Sequence, residues 1–251
     1  MKKVKPKSTT DKLGSDAAII LPTYCEAENI ESLVCTIEKL GINPSILVID
    51  DSSPDGTGNI VTKLRKKYKN IVLVSRRQKA GLGTAITNGF RFVLSQPNPP
   101  HYVITMDADY SHNPQDIPRL LHEAKKGYDV VVGSRYSQGG KVEGWSMTRV
   151  IISRIANKIA AKLVALRIRD FTSGFRCYSM PYIQKVLQNL HSQTYEIQIE
   201  TLRQAHIHNA KVTEIPITFT SRKMGKSKLT INEILSFSLY TLKTTIRKRA
   251  Y

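Results

Sequence analysis

Two aspartates one residue apart, in Met106-Asp-Ala-Asp-Tyr-Ser-His112, are the residues of this chain best suited to chemistry. In extended backbone, residues i and i+2 point to the same side, so Asp107 and Asp109 face one space. Two carboxylates so placed repel unless a cation or a proton sits between them. Mg2+ or Mn2+ suits the pair, because hard oxygen donors take part of its shell and leave positions for water and diphosphate oxygens. A cation held there takes up charge growing on a departing diphosphate. Such spacing also arises by chance on surfaces, so its position decides its value. Here it follows directly on the apolar run Tyr102-Val-Ile-Thr-Met106.

Two further polar clusters also follow apolar runs. Pro22-Thr-Tyr-Cys-Glu26 comes after Ala17-Ala-Ile-Ile-Leu21, and Asp50-Asp-Ser-Ser-Pro-Asp55 comes after Ser45-Ile-Leu-Val-Ile49. Carboxylates in the second cluster suit the base or ribose of a nucleotide. The same stretch also reads as a turn in which Asp55 or Thr57 caps the next helix, and both readings can hold. Gly81-Leu-Gly83 invites a dinucleotide site, but Ile86 stands where the third glycine of that fingerprint belongs. The glycines read instead as admitting close backbone packing at a helix start. The six histidines form no evident catalytic set.

The elements that must position these residues follow from periodicity. Short apolar runs at 17–21, 45–49, 71–74, 102–106 and 129–132 read as buried strands. Between them, helical spacing appears at 28–40, 58–68, 84–94 and 118–125. This alternation predicts an α/β fold with a mostly parallel central sheet flanked by helices on both faces. Ligands of such sheets bind beyond the carboxyl ends of the strands, where all three polar clusters lie. The second half differs. Residues 149–166 carry Arg154, Lys158 and Lys162 four apart, with Ile151, Ile152, Ile155, Ile159 and Leu163 away from that stripe. Residues 229–246 repeat the amphipathic theme, with Arg247-Lys-Arg249 beyond. Basic amphipathic helices of this kind either pack on the sheet or lie in a membrane interface.

Of 251 residues, 38 are Lys or Arg and 20 are Asp or Glu, a formal net charge of +18 that favours anionic partners. Residues 1–16 read as a disordered basic tail without the apolar core of a signal peptide. No uncharged apolar run reaches the ~18 residues that span a bilayer. Cys25, Cys35 and Cys177 make no metal-binding or paired spacing, which suits a reduced, cytoplasmic setting.

The three strand-end clusters resemble the GT-A catalytic domain of family 2 glycosyltransferases. Gly133-Ser-Arg-Tyr136, Gly144-Trp145, the stretch Arg169-Asp-Phe-Thr-Ser-Gly-Phe-Arg176 and Arg222-Lys-Met-Gly-Lys-Ser-Lys-Leu229 extend the likeness to the branch that transfers mannose to dolichyl or other polyprenyl phosphates. The resemblance runs from about Ala17 to Leu229 and implies a catalytic domain over 17–228, with a C-terminal amphipathic helix over 229–251. It implies an inverting transfer of mannose from GDP-mannose, with Mg2+ or Mn2+ as cofactor. Pro22, Tyr24, Glu26, Ile49 and Asp51 would surround the guanosine, and Asp107, Ala108 and Asp109 would meet the diphosphate and metal. Some relatives carry a glutamine two residues after the second aspartate as another metal contact; here that position is Ser111. Arg135 would contact the donor or the acceptor phosphate, with Arg149 and Ser153 as further acceptor candidates. Arg222 and Lys228 would lie in a loop closing over the phosphates.

An acceptor of this class is already an anion and attacks without a dedicated general base, so positioning and charge stabilisation carry the work. The resemblance also implies a peripheral enzyme on the cytoplasmic face of a membrane, held by its amphipathic helices or by a small membrane-anchoring subunit. Two other readings stand beside it. One is the same transfer from a UDP-sugar such as UDP-glucose. The other is a basic nucleic-acid-binding protein, which the basic stretch 222–228 disfavours because it contains no aromatic residue for base stacking.

Overall fold

A computed structural model describes residues 16–221. The chain opens with β1 (Ala17–Thr23), α1 (Ile30–Glu38), β2 (Ser45–Asp50), α2 (Thr57–Lys67), β3 (Ile71–Ser75), α3 (Leu82–Leu94) and β4 (Tyr102–Thr105). It continues with α4 (Ile117–Ala124), β5 (Val130–Ser134), β6 (Lys141–Glu143), α5 (Met147–Val164) and β7 (Arg176–Ser179). The last elements are α6 (Met180–Val186), α7 (Ile197–Ile207), β8 (Val212–Pro216) and β9 (Thr218–Thr220). Every strand and helix expected within these residues is present, with ends shifted by one or two residues. Arg222, Lys228 and the amphipathic segment 229–246 lie outside the described residues, as does the basic N-terminal segment up to residue 15.

Seven strands form one sheet in the order β3-β2-β1-β4-β7-β5-β8. β1 pairs parallel with both β2 and β4, placing their carboxyl ends side by side. All six residues of β2 are buried, because helices cover both faces of the sheet. Alternate residues feed two cores. Ala18 and Ile20 join α3, α5, α6 and α7, while Ile19 and Leu21 join α1, α2 and α4. The sheet is mostly parallel, with one exception that the alternation did not reveal. β7 lies antiparallel between β4 and β5. β6 and β9 form a separate two-stranded parallel sheet, tied to the aspartate loop by a bridge between His112 and Phe219.

α5 starts at a cap in which the Ser146 side chain accepts from the Arg149 amide, and it ends at Ala165 in the left-handed region. Its inward face is narrow: Asn157, Ala160 and Val164 are buried. Ile151, Ile152, Ile155 and Ile159 are each about half exposed, and Met147 is 75% exposed. The isoleucines therefore do not pack on the sheet. No helix among the described residues is long and apolar enough to cross a membrane.

Candidate active site

The carboxyl ends of β1, β2 and β4 open into one cleft. Pro22, Tyr24, Glu26, Asp51, Asp107, Ala108 and Asp109 line it, as the sequence placed them. Ile49 does not. It is fully buried in the core, since a residue within a strand covered on both faces cannot also reach the cleft.

Hydrogen bonds lace the β1 and β2 loops into one wall. Asp50 accepts from Thr23 Oγ1 at 3.1 Å and Ser53 Oγ at 2.5 Å, and Ser53 Oγ accepts from the Cys25 amide at 3.0 Å. Asp55 takes the Thr57 amide at 3.1 Å and the Ala27 amide at 3.0 Å. Burial acts to raise the Asp55 carboxyl, but the Thr57 hydroxyl and these amides outweigh it and hold the group below its usual range. Asp55 thus closes the turn ahead of α2, whose cap position is Gly56 in the left-handed region rather than Asp55 or Thr57, and Asp51 is left to face the cleft. Asp51 is not idle: it accepts from Arg76 Nε and from the Ala80 amide, fixing the 76–81 loop.

That loop supplies residues the sequence did not single out. Lys79 lines the cleft and places its ammonium 4.6 Å from the centre of the Tyr24 ring, so a positive charge and an aromatic face share one part of the cleft wall. Tyr195, just before α7, closes the opposite side. Gly81 and Gly83 act as expected. A Cβ at Gly81 would lie 2.5 Å from the Gln193 carbonyl oxygen, and one at Gly83 would lie 2.4 Å from that of Ser192. Only glycine lets α3 begin against the loop before α7.

The aspartate loop is tightly built. Asp109 is buried and accepts the Ser111 amide at 3.0 Å, and Tyr110 between them sits in the left-handed region at φ 61°. The Asp107 amide donates to His112 Nδ1 at 3.2 Å. His112 is fully buried against Phe175 and Phe219, and burial pushes its pKa down to about 4 against the pull of Asp109. It is therefore neutral with its proton on Nε2, and the 3.9 Å approach of Nδ1 to Asp107 Oδ2 is not an ion pair. This histidine braces the loop.

The donor set fits a hard divalent cation. Asp107 and Asp109 offer carboxylate oxygens, and the buried Ser111 Oγ has no partner among the described residues. Among those residues no cluster of three or more His, Cys, Asp or Glu side chains could hold a metal. A cation held here would need its remaining ligands from outside these side chains, such as diphosphate and water.

Arg135, Arg149 and Ser153 are brought together around Tyr136 and Trp145. Arg135 follows β5, and its Nε and Nη2 each meet a carboxylate oxygen of Asp170 at 2.7 Å, while Nη2 also donates to Thr172 at 2.5 Å. Burial works against both charges. Their mutual attraction and hydrogen bonds outweigh it, keeping Asp170 ionised below the usual range and Arg135 protonated. Much of the guanidinium is therefore already committed, which the sequence did not show. Nη1 makes no hydrogen bond among the described residues. Trp145 is flanked by Arg149 at 4.1 Å and Arg135 at 5.5 Å, and Ser153 Oγ accepts from Tyr136 at 2.7 Å. Phe219 touches both Arg135 and His112, so this basic, aromatic cluster adjoins the aspartate loop.

The profile of glycosyl transferase family 2 matches residues 18–187. A polyprenol monophosphomannose synthase of Mycolicibacterium smegmatis is 38% identical over 86% of this chain and 82% of its own length. An undecaprenyl-phosphate mannosyltransferase of Micrococcus luteus is 34% identical over 84% of this chain and 86% of its own. Among solved structures, glucosyl-3-phosphoglycerate synthase of Mycobacterium tuberculosis, in complex with Mn2+, UDP and phosphoglyceric acid, superposes with a TM-score of 0.66 over 93% of this chain and 78% of that one. At 18% identity this likeness speaks for the fold alone. The strand-end cleft, its paired aspartates and these similarities together place the chain in glycosyltransferase family 2.

Proposed function

We propose that this glycosyltransferase moves mannose from GDP-mannose to dolichyl or another polyprenyl phosphate. The observation that carries the reading is the basic cluster of Arg135, Arg149 and Ser153 adjoining the paired aspartates, where a phosphate acceptor can meet a diphosphate donor. The two relatives named for mannosyl transfer to a polyprenyl carrier support the same pair of substrates.

Tyr24, Glu26, Asp51 and Lys79 hold the nucleoside end of the donor. A divalent cation on Asp107 and Asp109 would neutralise charge on the leaving diphosphate. Arg135, oriented by Asp170, and Arg149, stacked on Trp145, place the acceptor phosphate. Its oxygen attacks the sugar C1 in line as the bond to the diphosphate breaks, converting an α-linked donor into a β-linked product. The phosphate needs no base, which agrees with the buried, neutral state of His112. Arg222 and Lys228, outside the described residues, would close over the phosphates and exclude water.

The lipid tail must stay in the bilayer while its phosphate reaches the cluster. α5 begins at that cluster and exposes Ile151, Ile152, Ile155 and Ile159 beside Arg154, Lys158 and Lys162. A helix with this surface holds the domain peripherally on the cytoplasmic face of a membrane.

The test is direct. Purified protein with polyprenyl phosphate and Mg2+ is offered GDP-mannose and UDP-glucose in parallel, and lipid-linked sugar is counted. Lipid-linked mannose is expected; product from UDP-glucose alone would overturn the assignment of the donor.

A further inference from the structure

Asparagine is a poor choice for a helix interior, where its short side chain competes for backbone hydrogen bonds. Asn157 nevertheless stands within α5, and it is one of the residues that this helix buries, beside Ala160 and Val164. It is 4% exposed. A carboxamide so enclosed needs partners, and the ones it has give a reason for its presence.

Its Oδ1 accepts from the Phe171 amide at 2.6 Å. A backbone amide can only donate, so this bond fixes which way the carboxamide faces and turns Nδ2 toward two acceptors. They are the Ser153 carbonyl at 2.8 Å, one turn back on α5, and the Thr172 hydroxyl at 3.1 Å. That hydroxyl also accepts from Arg135 Nη2 at 2.5 Å. In turn it donates to Asp170 Oδ1 at 3.3 Å, the oxygen that Arg135 Nη2 meets at 2.7 Å. Among the described residues, the hydrogen bonds of the Arg135 side chain therefore all end on Asp170 and Thr172. Where the stretch 170–172 sits decides where the rest of the guanidinium points. Asn157 ties that stretch to α5 at both Phe171 and Thr172.

We propose that Asn157 is a positioning residue for the transfer: it sets the place of Thr172, and through it the aim of the Arg135 guanidinium at a substrate phosphate. This rests on reading Arg135 as a phosphate contact. The same amide reaches the other side of the cluster, because the Ser153 whose carbonyl it holds also accepts from the Tyr136 hydroxyl. One side chain thus joins the helix with the exposed isoleucines to the arginine beside the aspartate loop.

A double-mutant cycle with Arg135 tests the link. Asn157→Leu, Arg135→Lys and the double variant are assayed in the full chain for transfer from GDP-mannose to polyprenyl phosphate, and the Kd of GDP is measured in Mg2+. Arg135→Lys loses the forked contact and should lower kcat/KM for the lipid about a hundredfold. Asn157→Leu, of similar size, should lower it about tenfold, with the Kd of GDP within about twofold of wild type. In the Arg135→Lys background the same substitution should cost less than about twofold, since the group it aims is gone. The proposal is overturned if the two losses multiply, if Asn157→Leu transfers as well as wild type, or if the GDP Kd rises in step with lost transfer. Should leucine prevent folding, Asn157→Asp still accepts from the Phe171 amide but cannot donate to Thr172, and it carries the same cycle. Wild-type transfer by Arg135→Lys would remove Arg135 from the phosphate and the role of Asn157 with it, whereas multiplied losses overturn Asn157 alone. Should the wild type not use GDP-mannose, the donor assignment falls, and the cycle on the nucleotide sugar it does use decides the role of Asn157.

Discussion

At Asp109 the chain gives up little packing if the side chain is lost, because the carboxylate lies at a loop and not within a core cluster. Asp109→Ala is expected to lower transfer by on the order of a thousandfold, with little change in melting temperature; near-wild-type turnover in saturating Mg2+ would remove the metal role. Asp170 is the opposite case. It accepts from the Arg135 amide and side chain and from the Thr172 and Ser173 amides, entirely away from solvent. Asp170→Asn strands a buried guanidinium and should cost about 3–5 kcal/mol in denaturant unfolding. The carboxyl sits below its usual range, so its contribution is complete above about pH 4 and is lost as pH falls through the folded value. The stability gap between wild type and Asp170→Asn should therefore narrow on acidification below that point. Asp107, Asp109 and Asp51 were legible in the sequence because their places at strand ends are local facts. Lys79 and Tyr195 were not, because only tertiary packing brings a loop and the residues just before α7 to the same cleft.

Elements follow the same division. β1, β2 and β4 announced themselves as apolar runs, since burial on both faces leaves no polar position to blur the pattern. β7 did not: it has four residues, and its first, Arg176, is buried by Phe171, Gln198 and Thr201, partners no local pattern can show. At the start of α3, Gly83→Ala would drive a methyl into the Ser192 carbonyl. That overpacking should cost about 1–3 kcal/mol and weaken GDP binding, because the helix start also lines the cleft; thermal melts and calorimetry read both effects. α5 makes the reverse prediction. Ile152→Glu with Ile155→Glu removes half-exposed groups, so stability should stay within about 0.5 kcal/mol while sedimentation with anionic vesicles falls at least about tenfold. Unchanged vesicle binding would count against the interfacial role.

For the whole molecule, a net charge of +18 means that association with anionic surfaces has a long-range part. Raising salt from 0.05 to 0.5 M shortens the Debye length about threefold and should weaken vesicle binding strongly, while affinity for the nucleotide, set inside a cleft, changes less; equilibrium binding at several salt concentrations distinguishes the two. Connectivity has a consequence of its own. β4 and β5 are made early, but the strand that joins them, β7, emerges only after the whole of α5. A chain that has reached residue 170 leaves the outer edge of β4 open and β5 without either of its neighbours, since β7 and β8 both come later. Neither edge can be satisfied by anything yet synthesised, so the growing polypeptide is open to wrong partners until Arg176–Ser179 slides in between. β7 is thus the strand on which the second half of the sheet depends, since β5 and then β8 join the rest only through it, and truncations ahead of residue 176 should aggregate, read as loss of soluble protein.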